Sequence, residues 1–88
     1  MRRLALAIAA VLLAAPAGAL PRCKVTDPTG TPLNVRASDM QIIGTLENGE
    51  IVLIKRDGAD RRGKAWSLVE TPEGAEIGWV YREFISCF

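Results

Sequence analysis

No histidine occurs anywhere in the 88 residues, which removes the commonest general base, proton shuttle and metal ligand together. Cysteine is nearly absent as well, and two cysteines cannot by themselves build a structural zinc site. Neither sign of charge dominates. The 11 basic side chains meet 10 acidic ones, so there is no reservoir of positive potential to hold a phosphate backbone, and nucleic acid is not an expected partner. Ser38, Ser67 and Ser86 have no imidazole to activate them, and neither do the cysteines. Glu70 and Glu76 could face each other as a hydrolase's two carboxylates do, but a small domain offers no deep cleft in which to shift their pKa values. The chain is therefore expected to be non-catalytic, with no cofactor and no metal.

The apolar content of 49% is unevenly placed, because the first nineteen residues supply much of it as a run of Ala and Leu. Met1-Arg2-Arg3 is a basic start, Leu4 to Ala15 is apolar throughout, and Ala17-Gly18-Ala19 is a small-x-small triplet behind Pro16. That layout is a secretory signal peptide cleaved after Ala19, with the mature chain in the periplasm or secreted. A membrane anchor is the alternative, since the uncharged stretch from Leu4 to Pro21 is just long enough to span a bilayer. Pro16 and Gly18 favour cleavage, and Arg22 ahead of Cys23 disfavours a lipoprotein signal. No stable membrane insertion is then expected.

Cleavage leaves residues 20–88, which are 69 residues with 9 basic and 10 acidic side chains. A hydrophobic core of this size is marginal, and small exported domains commonly add a covalent staple. Cys23 and Cys87 lie near opposite ends of the mature chain, so a disulfide between them would enclose almost all of it. Catalytic thiols usually sit close in sequence beside a polarising neighbour, and these two do not. A bond also requires their Cα atoms to approach within about 7 Å, which places the first and last segments side by side.

Helical periodicity is absent after residue 19. Cys23-Lys24-Val25 ends at Asp27-Pro28-Thr29-Gly30-Thr31-Pro32, which no central strand tolerates. Leu33-Asn34-Val35-Arg36 alternates as a half-buried strand does, and Ala37 to Gln41 reads as a loop. Ile42 to Leu46 and Ile51 to Ile54 flank Asn48-Gly49, a short turn signal. Asp57 to Lys64 is charged and glycine-bearing and reads as a solvated, mobile loop. Ala65 to Glu70 and Glu76 to Tyr81 form a hairpin across Thr71-Pro72-Glu73-Gly74-Ala75. The fold class is all-β, with five or six short strands in a small closed or nearly closed barrel that brings the ends together and pairs the edges.

Three segments resemble the bacterial Src homology 3 (SH3) domains of exported and cell-wall proteins. They are Leu33-Asn34-Val35-Arg36, then Ile43-Gly44-Thr45-Leu46 through Gly49 to Val52, then Trp66 with Gly78-Trp79-Val80. The resemblance covers roughly residues 23–88 and implies an SH3-like barrel and a binding role toward peptidoglycan or an envelope protein. Gly78 to Ile85 is similar in character to the G-x-[IV]-P-x-N-Y-V segment of eukaryotic SH3 domains, with Tyr81 and Phe84 in its Pro and Tyr positions. Leu33-Asn34-Val35-Arg36, which has no ring, stands in place of the aromatic-rich first loop of the proline-binding groove, so recognition of Pro-rich peptides, which needs aromatic walls, is not implied.

All five aromatics, Trp66, Trp79, Tyr81, Phe84 and Phe88, fall in the second half. Trp79, Phe84 and Trp66 can be packing residues of a small core. Trp66 and Tyr81 can instead be partly exposed beside the charged loop, as a platform for a sugar ring or a peptide. Arg36 is either a surface charge paired with a carboxylate or a planar donor to a ligand carboxylate. Arg61-Arg62-Gly63-Lys64 is offset by Asp57 and Asp60. The expectation is a monomeric, exported binding module for peptidoglycan or an envelope protein, using Trp66, Tyr81 and Arg36. The alternative is an adaptor or inhibitor dedicated to one protein partner, with no carbohydrate affinity.

Overall fold

The computed structural model describes residues 19–88. The leader expected over residues 1–19 lies, except for Ala19, outside the described residues. Seven strands run through the rest: β1 Arg22–Val25, β2 Leu33–Arg36, β3 Ile42–Leu46, β4 Ile51–Ala59, β5 Ala65–Glu70, β6 Glu76–Tyr81 and β7 Ile85–Cys87, with a 3-10 turn at Arg82–Phe84 before the last. The fold is all-β, and the described residues contain no α-helix.

The strands form one antiparallel sheet in the order β3-β2-β6-β5-β4-β1-β7. Its curl follows from one connection. β3 and β4 stand four places apart in the sheet, which would be roughly 19 Å if it were flat. Yet they are joined by a tight turn, closed by the Glu50 amide donating to the Glu47 carbonyl at 3.1 Å with Gly49 at φ 93°. Asn48 bolts this turn to the β1–β2 loop, accepting from the Asp27 amide at 2.7 Å and donating to the Thr31 carbonyl at 3.2 Å. The sheet therefore rolls until Leu33, Val35 and Leu46 from one side meet Cys23, Val25 and Ile85 from the other, around Val52, Ile54, Val69 and Val80.

Three expectations need correction. There are seven strands rather than five or six, and no ladder among the described residues joins β3 to β7, so the sheet is curled but not closed. The uncounted strand, β7, is three residues long and follows a 3-10 turn, too short for an alternation to show. Residues 57–59 belong to β4 rather than to a mobile loop, pairing Asp57 with Ser67, Gly58 with Trp66 and Ala59 with Ala65. The charge at Asp57 is used inward, where the fully buried Ser67 hydroxyl donates to it at 2.7 Å. The actual turn is held by Asp60, whose carboxylate accepts from the Arg62 and Lys64 amides at 2.8 and 3.0 Å.

The ends meet as the cysteine spacing requires. Cys23 and Cys87 are direct partners across β1 and β7 and form a disulfide, with Cα atoms 3.8 Å apart. Beside it the Thr26 and Ser86 hydroxyls share a hydrogen bond of 2.7 Å, and the Phe88 amide donates to the Arg22 carbonyl at 3.0 Å. Closing a loop of 64 residues contributes about 4 kcal/mol in the chain-entropy account, comparable with the net stability of a small domain.

Candidate functional site

The inner face of the sheet carries Val69 and Val80, so its outer face carries the residues that alternate with them. Register sets Trp66 opposite Tyr81 and Gly58, and Leu68 opposite Trp79 and Arg56, while Arg36 of β2 pairs with Trp79. One face of the central strands thus gathers Arg36, Arg56, Trp66, Trp79 and Tyr81. The arrangement depends on two glycines. A Cβ at Gly58 would lie 3.1 Å from the Trp79 ring. At Gly78, where φ is +148°, a Cβ would lie 2.6 Å from Val35 Cγ1 and 3.1 Å from the Arg36 carbonyl oxygen, so only glycine lets β6 approach β2 there.

The three residues singled out from the sequence, Arg36, Trp66 and Tyr81, line a single cleft of about 250 Å3, together with Phe84, Pro32 and Asp27. Its aromatic wall is a connected stack. Tyr81 lies on Trp66 with centroids 4.3 Å apart at 29°, and Phe84 meets Tyr81 edge-on at 5.6 Å. The opposite wall comes from the β1–β2 loop, where buried Asp27 accepts from both the amide and the hydroxyl of Thr29, at 2.9 and 2.7 Å. The cleft therefore offers flat apolar rings, a guanidinium and a carboxylate within one small volume. Such a mixture suits a ligand that presents an apolar ring face or stem and a few polar groups.

Trp66 is more buried than the platform reading requires, at 5% exposed, because Tyr81 covers one face of its ring. Its indole N–H donates to Asp60 Oδ2 at 3.0 Å. That hydrogen bond is the main reason the Asp60 carboxyl is held below its ordinary 3.8, with the Lys64 and Arg62 amides adding to it and burial opposing it. Tyr81 is half-buried and supplies the accessible ring. Arg36 is half-buried too, and its Nη1 donates to the Met40 carbonyl at 2.7 Å rather than to a carboxylate. Met40, at φ 75°, is the one non-glycine residue with positive φ among the described residues, so this donor secures a turn that the backbone alone disfavours.

Trp79 is a functional candidate that the sequence reading had placed in the core. It stands half-buried on the outer face, with the Arg56 guanidinium 5.7 Å from its ring centroid. A second cleft of about 170 Å3 lies between Trp79 and Trp66, floored by Gly58 and bordered by Met40. The signal was present in the chain, since a period of two that buries Val80 must expose Trp79 and Tyr81. Glu70 and Glu76 do face each other in register, but Glu76 is ion-paired with Lys55 at 2.9 Å. The Lys55 hydrogen bond and charge hold the Glu76 carboxyl low, the opposite of what a proton-donating acid requires. Among the described residues no cluster of three or more acidic or cysteine side chains is placed to hold a metal ion, and no helix is long and apolar enough to cross a membrane.

No family model, no curated protein and no solved structure matches this chain.

Proposed function

We propose that residues 20–88 form an exported, non-catalytic, monomeric binding module of SH3-like architecture, released from a leader cleaved after Ala19, and that it recognises cell-wall peptidoglycan through the Arg36–Trp66–Tyr81 cleft. The observation that carries this reading is the convergence of those three residues. They are far apart in sequence and were singled out for their chemistry, and they line one cleft with Phe84 and the buried Asp27. The accessible Tyr81 ring, backed by buried Trp66, suits the face of a sugar ring, and Arg36 suits a carboxylate on a peptide stem. The disulfide, which persists in oxidising compartments, supports export to the periplasm or beyond.

Co-sedimentation with intact peptidoglycan sacculi at low and moderate salt tests the proposal. Saturable binding that survives moderate salt is expected, with Tyr81→Ala and Arg36→Ala each abolishing it while leaving the far-ultraviolet spectrum unchanged. Absence of sedimentation, or retention by both variants, overturns it in favour of an adaptor for one envelope protein.

A further inference from the structure

The edge strand β3 is finished unlike any other part of the surface. It is one of the two outermost strands, and among the described residues it is laddered only to β2. Residues 42–45 are all exposed and only Leu46 is buried. Ile42 and Ile43 are 54% and 58% exposed, and Met40 just before them is 40% exposed. Proteins ordinarily blunt such an edge with lysine, proline or an inward charge, because its free N–H and C=O groups template another strand. Ile42-Ile43-Gly44-Thr45-Leu46 contains none of these guards.

The edge is also held in place. The Ala37 amide donates to the Gln41 carbonyl and the Met40 amide to the Ala37 carbonyl, both at 2.8 Å, while Arg36 clamps Met40. A segment docking here meets a strand already in its bound conformation, which lowers the entropy cost of association.

Local charge identifies the occupant. The cleft beside Ile43, about 270 Å3, is bordered by Arg36, Lys55 and Arg56 against the single acid Glu76. This basic surplus sits on a mature chain whose acids outnumber its bases by one. A second copy of β3 would bring no carboxylate to that cleft, since residues 42–46 contain none, and it would set two basic surfaces together.

We propose that β3 is the docking edge for an extended acidic segment of a partner polypeptide. The segment adds as an eighth strand, pairs its backbone with the outward groups of β3, and directs every second side chain to the Ile43 face, where carboxylates meet Arg56. The protein would then hold cell wall in its cleft and a protein on its edge.

The test uses the oxidised protein and a short blocked peptide alternating valine and glutamate, followed by amide chemical shifts and hydrogen exchange. New protection confined to residues 42–46 and shifts there and around Arg56 are expected, with roughly tenfold weaker binding when lysine replaces glutamate in the peptide. Loss is expected when the peptide backbone is N-methylated. Ile43→Glu abolishes peptide binding while sedimentation with sacculi and the melting temperature stay as they were, which separates this site from the cleft. Equal response to the lysine peptide, no response along β3, or concentration-dependent pairing of the protein through β3 would each overturn the proposal.

Discussion

The two edges of the sheet are finished in opposite ways. At one edge β7 is three residues long, hooked to β1 by the Cys23–Cys87 disulfide, by the Thr26–Ser86 hydroxyl pair and by Phe88 reaching back to Arg22. At the other, β3 is bound among the described residues only through β2, and it presents two exposed isoleucines. Both edges contribute to one core, through Ile85 and Leu46, so the difference does not lie in burial. It lies in what fixes the outermost strand: covalent chemistry at one side, a single ladder at the other. Recognition by strand addition needs an edge of the second kind, and the first supplies the stability that lets so small a fold keep one.

The largest effect expected from breaking this contrast comes from removing the staple. Replacing Cys23 and Cys87 by Ser should cost about 4 kcal/mol and lower the melting temperature by roughly 20 °C. Calorimetry of the oxidised, reduced and Ser-substituted forms measures it, and equal melting would show that the disulfide is incidental. Its loss should also release amide protection first from β1 and β7, making the two edges alike.

A smaller loss is expected where β6 closes on β2, the ladder from which β3 hangs. Gly78→Ala places a Cβ 2.6 Å from Val35 Cγ1 at a positive φ and should destabilise by about 2 kcal/mol. Gly44→Ala, within β3 itself, meets nothing within 4 Å and should change stability by no more than about 0.5 kcal/mol. Urea denaturation of the pair decides whether the open edge depends on its neighbour's backbone or on its own.

The smallest effect lies between the edges, at Asp60. Its carboxyl is held low chiefly by the Trp66 indole N–H, so the folded form favours the ionised acid. A group depressed in this way contributes its full share above the ordinary carboxylate value of 3.8, and the share is lost as pH falls through the lower folded value. Following the Trp66 indole resonance on acidification should show a transition below 3.8, and Trp66→Phe should return Asp60 toward that value. A transition at or above 3.8 in the unmodified protein would break this link between turn and aromatic wall.

Much of the fold was legible because strand signals are local. Leu33 to Arg36 and Ile42 to Leu46 occur where alternation and β-branched residues placed them, and the Thr71 to Ala75 turn has the residues that its geometry demands. β4 read short because Arg56, Asp57 and Gly58 look like loop in isolation. Only pairing with β5 shows that Asp57 serves buried Ser67 and that Gly58 makes room for the Trp79 ring. Trp79 read as core because a large ring in a small domain usually packs inward, whereas the parity set by Val80 turns it out.

By itself the sequence determined the all-β class, most of the turns and the pairing of the two ends, since each depends on local backbone preference or on simple chain closure. Tertiary structure decided that the sheet curls without closing, that Arg36, Trp66 and Tyr81 share a cleft, and that β3 stands at an edge. Those outcomes depend on strand order, which is set by which segments bury their apolar faces together across long stretches of chain, and no local pattern encodes that choice.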